Sequence, residues 1–280
     1  MSHAPPDLTD RKALAHHRAR ASGEMFLHDI AREELQFRLA EVNRQFAQPA
    51  IITGHPDYWA GFLPDARLVA DSEVLDLEAG AHDLVIHAMA LHWAADPVGQ
   101  LVQARRALRP DGLFLGVLPG GQTLAELRAC LAQAESEITG GLSPRVLPMA
   151  EIRDLGGLLQ RAGFALPVAD LIGQQVAYGR LDALYADLRG MGERNALAAR
   201  RRNFTPRALF ARTSELYAQH HMDADGRLRA SFDLIFLTGW APDDSQPKPL
   251  RPGSATTRLA DALGTEEAPL PDQVKIPRKD

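Results

Sequence analysis

A single cysteine in 280 residues, Cys130, leaves the chain without an internal disulfide and without the thiolate cluster of a structural zinc site. Long apolar runs are missing too. Nothing approaches the ~18–20 residues that span a bilayer, and no signal-peptide apolar region follows Met1. These absences predict a cytoplasmic protein with no transmembrane segment. Excess positive charge is also lacking: 31 lysines and arginines stand against 36 acidic residues, a net charge of −5. That balance gives no bulk attraction to nucleic acid or acidic membranes, so nucleic acid is excluded as an expected partner. The most informative absence is local, a glycine-rich loop ahead of a stretch that reads like the second half of an open α/β sheet.

That stretch begins at His82-Asp83-Leu84-Val85-Ile86-His87-Ala88, a branched apolar run suited to a strand buried on both faces. Asp96-Pro97 then supplies an N-cap followed by proline at the first helical position. Val98, Leu101, Val102 and Leu108 recur at helical spacing, with Gln103, Arg105 and Arg106 on the wet face. Arg109-Pro110-Asp111-Gly112 predicts a turn that stops the helix and delivers Leu113 to Leu118 as a second buried strand. The whole makes one parallel strand-helix-strand unit.

A cofactor-binding half would place a strand, a glycine loop, a helix and a strand ending in an acid ahead of that unit. Here Pro49-Ala50-Ile51-Ile52 is followed by Thr53-Gly54-His55-Pro56, with one glycine and then a proline, and the next strand-like run, Ala66 to Ala70, ends at Asp71. Each parallel crossover takes roughly 30 residues. The chain from Ile51 to Asp83 holds about one where about two are needed, so a strand and a helix are missing from this half.

An ordered series carries a family resemblance: Ala90-Leu91-His92-Trp93, Leu108-Arg109-Pro110-Asp111-Gly112, Gly120-Gly121-Gln122-Thr123, Gly141-Leu142-Ser143-Pro144-Arg145, Asp187-Leu188-Arg189-Gly190-Met191-Gly192-Glu193-Arg194-Asn195, Thr238-Gly239-Trp240 and Gly253-Ser254-Ala255. It resembles the class I S-adenosylmethionine-dependent methyltransferases, in particular their complex I assembly factor branch, and more distantly the malonyl-carrier-protein methyltransferase of biotin synthesis. The resemblance implies a doubly wound, Rossmann-like α/β sheet, seven-stranded in the family and here shortened at the cofactor half, mostly parallel with a late antiparallel strand at Phe232 to Leu237. It implies S-adenosylmethionine over the carboxyl ends of the first strands. Gly54 stands where the glycine loop is expected, and Asp71, with Ser72, matches the acidic position beside the adenine; the plainer alternative is a turn glycine and a strand-end acid on a wet surface. His92 and Trp93, just past a buried strand, are placed at the cofactor mouth, where a histidine can act as base and an indole can cover a ring.

On the substrate side, Gly120 and Gly121 follow a strand's carboxyl end. Thr123-x-x-Glu126 reads as a capping box whose helix N-terminus can receive an anion. Arg145, Arg194 and Asn195 lie in glycine-rich loops between amphipathic helices and are candidates for holding a carboxylate or a peptide segment. No residue is assigned to catalysis and none to a metal. Cys130 shares a helix face with Leu124, Leu127, Leu131 and Ala134 and reads as a core thiol.

Three segments are expected: an N-terminal arm, 1–23, whose basic run Arg11 to Arg20 reads as a frayed, solvated helix; a methyltransferase-like domain, 24–241, opened by a long amphipathic helix; and a proline-rich extended or disordered tail, 242–280. The resemblance implies a protein partner, in particular a complex I subunit, and a mitochondrial matrix location for eukaryotic members. Three functions stay open: an S-adenosylmethionine-dependent enzyme modifying that subunit, a degenerate fold that holds it as an assembly chaperone, and a carboxyl methyltransferase of small or carrier-bound acids.

Overall fold

Four short apolar runs in the first half of the chain form the parallel part of a six-stranded sheet, in the order β2-β1-β3-β4-β6-β5. The computed structural model describes residues 7–246 and Gly264. Met1–Asp244 form one compact unit. The expected tail lies mostly outside the described residues, as do Gly253, Ser254 and Ala255.

The strands are β1 (Pro49–Thr53), β2 (Arg67–Ala70), β3 (His82–Ala88), β4 (Leu108–Gly120), β5 (Ala165–Tyr178) and β6 (Leu228–Trp240). The helices are α1 (Arg11–Arg18), α2 (Phe26–Glu41), α3 (Pro56–Trp59), α4 (Pro97–Ala107), α5 (Ala125–Thr139), α6 (Ile152–Ala162), α7 (Leu181–Gly190) and α8 (Arg207–His221), with a single 3-10 turn at Leu91–Trp93. β1 is hydrogen-bonded directly to β2 on one side and to β3 on the other, all parallel. The only connection from β1 to β2 carries the four-residue α3, so the missing strand and helix expected from chain length are missing in the fold. β6 runs antiparallel between β4 and β5, as the apolar run Phe232 to Leu237 predicts.

Alternation along the strands divides the core into two layers. Ile51, Leu84, Ile86, Leu115 and Phe236 face α2, α5, α7 and α8. Ala50, Ile52, Val85, Phe114 and Ile235 face α4 and α6. Every described central strand is thus covered on both faces, which is why these runs are apolar without interruption. β5, at the edge, alternates instead, leaving Leu166, Val168 and Leu171 substantially exposed.

Three expectations need correction. The capping box does not form: Leu124 occupies the N-cap of α5 with φ 55° and no side-chain bond. Thr123 Oγ1 instead donates to the Asp233 carbonyl at 3.0 Å and accepts from the Asp233 amide at 2.9 Å, while Glu126 bonds Ser231. α4 ends at Ala107, so Leu108, expected on its helical face, opens β4, and residues 109–112, expected as a turn, lie within that strand; Gln103, partly exposed on α4, accepts from the Leu75 amide and donates to the Glu73 carbonyl. The basic N-terminal helix is not frayed. Asp10 caps α1 by accepting from the Ala13 amide, and Leu14 of α1 is buried with Trp93, Leu147, Ala196 and Leu197 in a small satellite core.

Candidate functional site

β1 and β2 end side by side and present Gly54, His55 and Asp71 at the carboxyl edge of the sheet, where open α/β folds bind ligands. α1 lies across this edge. Arg18 Nη1 donates to Asp71 Oδ2 at 2.8 Å, Arg11 Nη1 donates to the same oxygen at 3.3 Å, and Arg11 Nη2 donates to the Asp71 carbonyl. The Arg18 and Asp71 side chains are 7% and 8% exposed. Burial alone raises a carboxyl pKa, but the two guanidiniums outweigh it and hold Asp71 below its ordinary value, charged at neutral pH. Asp71 is therefore an ion-paired buried acid, not a strand-end acid in water. A Cβ at Gly54 would overlap the Arg18 guanidinium; the glycine is needed for that close approach.

These contacts bear on S-adenosylmethionine. Gly54 is covered by Arg18, Asp71, the acid expected beside the adenine, is engaged by two arginines, and no strand between β1 and β2 supplies a second acid for ribose hydroxyls. With α1 in this position, Arg18 and Arg11 occupy the contacts that Gly54 and Asp71 would offer the cofactor. A cavity of about 630 Å³ nevertheless runs between α1 and this edge, lined by Arg11, Arg18, Ser22, His55, Tyr58 and Asp71 among others. Ser72 does not line it; its carbonyl accepts from Gln100 Nε2.

The closed arrangement leaves polar atoms unmet. Arg18 Nε and Nη2, His28 Nε2, His55 Nε2 and His92 Nδ1 are buried with no hydrogen-bond partner. An unsatisfied buried donor or acceptor costs ~1–3 kcal/mol. Burial pushes His28 down to about 3 and lowers His55 as well, so both imidazoles are neutral under α1.

His92 and Trp93 belong to a second cavity. It measures about 370 Å³ and is lined by Leu27, Leu124, Leu127, Leu131, Tyr185 and Phe232 on its apolar side. Glu193, absent from the candidates drawn from sequence, is its pivot: Trp93 Nε1 donates to Glu193 Oε2 at 2.7 Å and His92 Nε2 lies 3.2 Å from the same oxygen. Burial works to raise the Glu193 pKa, and His92, Arg18 and the indole N–H overcome it, keeping the carboxyl ionised. His92 and Trp93 thus line this second cavity and not the one at the strand edge, where they are expected.

The substrate-side candidates divide. Arg145, Arg194, Asn195 and Thr123 line this second cavity, whereas Gly120 and Gly121 do not. A Cβ on Gly120 would collide with Ile235 and one on Gly121 with Asp233, so both glycines serve packing between β4 and β6. The Thr123 hydroxyl is already committed to β6. Arg145 makes a bidentate pair with Glu135, Nε to Oε2 at 3.0 Å and Nη2 to Oε1 at 2.7 Å; that bond to Arg145, against burial, holds the Glu135 carboxyl down to about 2. Asn195 Nδ2 donates to the Pro144 carbonyl at 2.9 Å, joining the two glycine-rich loops over the cavity. Among the described residues no cluster of three or more His, Cys, Asp or Glu is placed to hold a metal.

α1 links the two cavities. Thr9 Oγ1 donates to the Trp93 carbonyl at 2.9 Å, the Asp10 amide to the Ala196 carbonyl at 2.7 Å and the Ser22 amide to the Gly190 carbonyl at 3.0 Å. Arg200 adds an ion pair to Asp10 at 2.9 Å. Moving α1 off the strand edge therefore pulls on the loop that carries Glu193, Arg194 and Asn195.

A mostly parallel sheet with a late antiparallel strand, helices on both faces and a ligand edge at the first strands is the architecture of the class I methyltransferases. The methyltransferase domain model matches residues 18–116 of the chain. It is similar to the arginine-hydroxylase NDUFAF5, mitochondrial, of Danio rerio, 38% identical over 71% of this chain and 62% of that protein, and to that of Homo sapiens, 37% identical over 71% of this chain and 57% of that protein. It is also similar to the malonyl-[acyl-carrier protein] O-methyltransferase of Laribacter hongkongensis, 35% identical over 63% of this chain and 57% of that protein. The matched region thus spans about three fifths of the length of these relatives.

Proposed function

We propose that this chain is a complex I assembly factor of the methyltransferase fold that holds a protein subunit, in the compartment where that complex is built, and that α1 acts as a latch over the cofactor edge. One observation carries the reading: Arg18 occupies the space over Gly54 and neutralises Asp71, while the cavity beside His92 and Trp93 stays open. The arginine-hydroxylase name of the Danio rerio and Homo sapiens relatives supports a protein partner and extends the proposal to modification of a subunit arginine. S-adenosylmethionine, the cofactor the resemblance implies, enters in this account only with α1 displaced. The test is calorimetric titration with S-adenosylmethionine and S-adenosylhomocysteine together with co-purification of complex I subunits. Co-purification that survives Arg18→Ala supports a holding role; its absence, with turnover of a carrier-bound acid, refutes it.

A second reading has its own observation. The guanidiniums of Arg189 and Arg194 at the mouth of the open cavity have no hydrogen-bond or ion-pair partner among the described residues, and a cationic mouth over an apolar cavity also suits a carrier-bound carboxylic acid, as in the malonyl-carrier relative. A screen of carrier-bound acids for methyl transfer separates the two.

A further inference from the structure

The cavity beside Trp93 opens onto a surface whose charge departs from that of the whole molecule. The chain carries −5 overall, yet the ionisable lining of this cavity is Arg145, Arg189, Arg194 and one carboxylate, Glu193, besides His92. Arg145 is neutralised from beneath by Glu135, and Glu193 is occupied by the indole and imidazole nitrogens. The exposed guanidiniums of Arg189 and Arg194 are left uncompensated. Arg189 sits in the last turn of α7, where the helix dipole favours a cation, so its charge is stable in place. Arg201 stands 3.9 Å from Glu135 and extends the basic rim.

Apolar groups stand at the same mouth. Phe210 lines the cavity, is 42% exposed and packs edge-on against Tyr185 at 5.8 Å between ring centroids. Leu142 is 71% exposed and Phe204 fully so. The segments that carry them are joined, because Arg145 Nη1 donates to Thr205 Oγ1 at 3.1 Å and the Ser143 amide donates to Glu135, which ties the loop after α5 to the segment before α8. Inside, the Tyr185 hydroxyl is buried with no partner.

We infer that this surface receives an acidic segment of a partner protein, one that inserts an aromatic or leucine side chain into the cavity between Leu127, Tyr185 and Phe210 and sets flanking carboxylates on Arg189 and Arg194. The inference rests on the proposed holding of a protein partner and specifies the chemistry of the part that is held. Charge complementarity chooses the occupant: a basic side chain would meet two uncompensated guanidiniums, whereas carboxylates beside an apolar anchor satisfy both and bury Leu142 and Phe204. The arrangement is a small apolar centre within a charged rim, as in other protein-docking patches.

The experiment is selection of random peptides displayed on phage against the full chain, followed by fluorescence anisotropy with the synthetic consensus peptide. The expected consensus is an aromatic or leucine flanked by aspartate or glutamate. Its binding should weaken as salt rises and fall by about tenfold or more in Arg189→Glu/Arg194→Glu. Phe204→Ser, at a fully exposed position that cannot disturb folding, should weaken binding while leaving the salt dependence intact. A basic or uncharged consensus, or one bound equally by the double variant with unchanged circular dichroism, overturns the inference and leaves the holding of a complex I subunit to its own co-purification test. Failure to select any peptide, with the protein instead sedimenting with phosphatidylserine vesicles or binding decanoate, overturns it as well.

Discussion

Replacing Arg18 with alanine removes the central contact of the α1 latch. Removing one member of a buried ion pair costs ~3–5 kcal/mol when the remaining charge is left alone. Two features reduce that here. Arg11, one third exposed, stays bonded to Asp71 and its carbonyl. The unmet Nε and Nη2 donors of Arg18 also leave with the side chain, which returns ~1–3 kcal/mol. The expected net loss is about 1–2 kcal/mol, a fall in Tm of about 2–8 °C for a domain of this size. The sign of the pH dependence is fixed as well. Asp71 has a folded pKa below its ordinary 3.8, so its contribution is present above that value and disappears as pH falls through the folded pKa. The gap between wild type and Arg18→Ala should persist from neutral pH down to the ordinary carboxylate value and close below it. Thermal unfolding followed by circular dichroism across that range is the assay. An unchanged or raised Tm at neutral pH, or a gap that widens in acid, would refute the reasoning.

Gly54→Ala places a methyl group in the Arg18 guanidinium and should destabilise the wild type by about 1–3 kcal/mol as an overpacking change. In the Arg18→Ala background most of that cost should vanish, which a double-mutant cycle on Tm checks. Glu135→Gln removes the buried charge that Arg145 and Ser143 hold and should cost about 3 kcal/mol, with the 140–145 loop becoming more open to limited proteolysis; because the folded pKa lies near 2, the wild-type advantage should last until strongly acid pH. Cys130 is buried and its thiol is pushed up to about 11 by its surroundings, so a thiol reagent at neutral pH should leave the native protein untouched and label a single site after denaturation.

The parts of the fold that were legible in the sequence are those where one physical rule dominates. β3 and the start of α4 follow from a continuous apolar run and an Asp-Pro cap and lie where those signals put them, whereas β4 opens at Leu108 and takes in residues 109–112, which the proline-glycine pattern predicts as a turn before the strand. The loss of a strand and helix before β3 was legible from length alone. β5 was not, because an edge strand with Leu166, Val168 and Leu171 turned outward and Pro167 and Gly173 within it imitates a loop. At the site, sequence position brings out Gly54 and Asp71 but not what covers them. Arg11, Leu14 and Arg18 share one face of α1 at helical spacing, which is the signal that this basic helix docks instead of fraying. The Glu193 contact with His92 and Trp93 joins residues 100 or more apart in the chain, so no local pattern reports it.

The central claim is that α1 competes with S-adenosylmethionine for the strand edge, and titration of the cofactor into wild type and Arg18→Ala tests it most directly. A latch worth about 1–2 kcal/mol lowers apparent affinity by about 5–30-fold, so the account predicts tighter binding to Arg18→Ala by that factor, with faster hydrogen exchange across α1. Equal or weaker binding to Arg18→Ala would contradict it and make Arg18 a support of the cofactor edge instead of its latch.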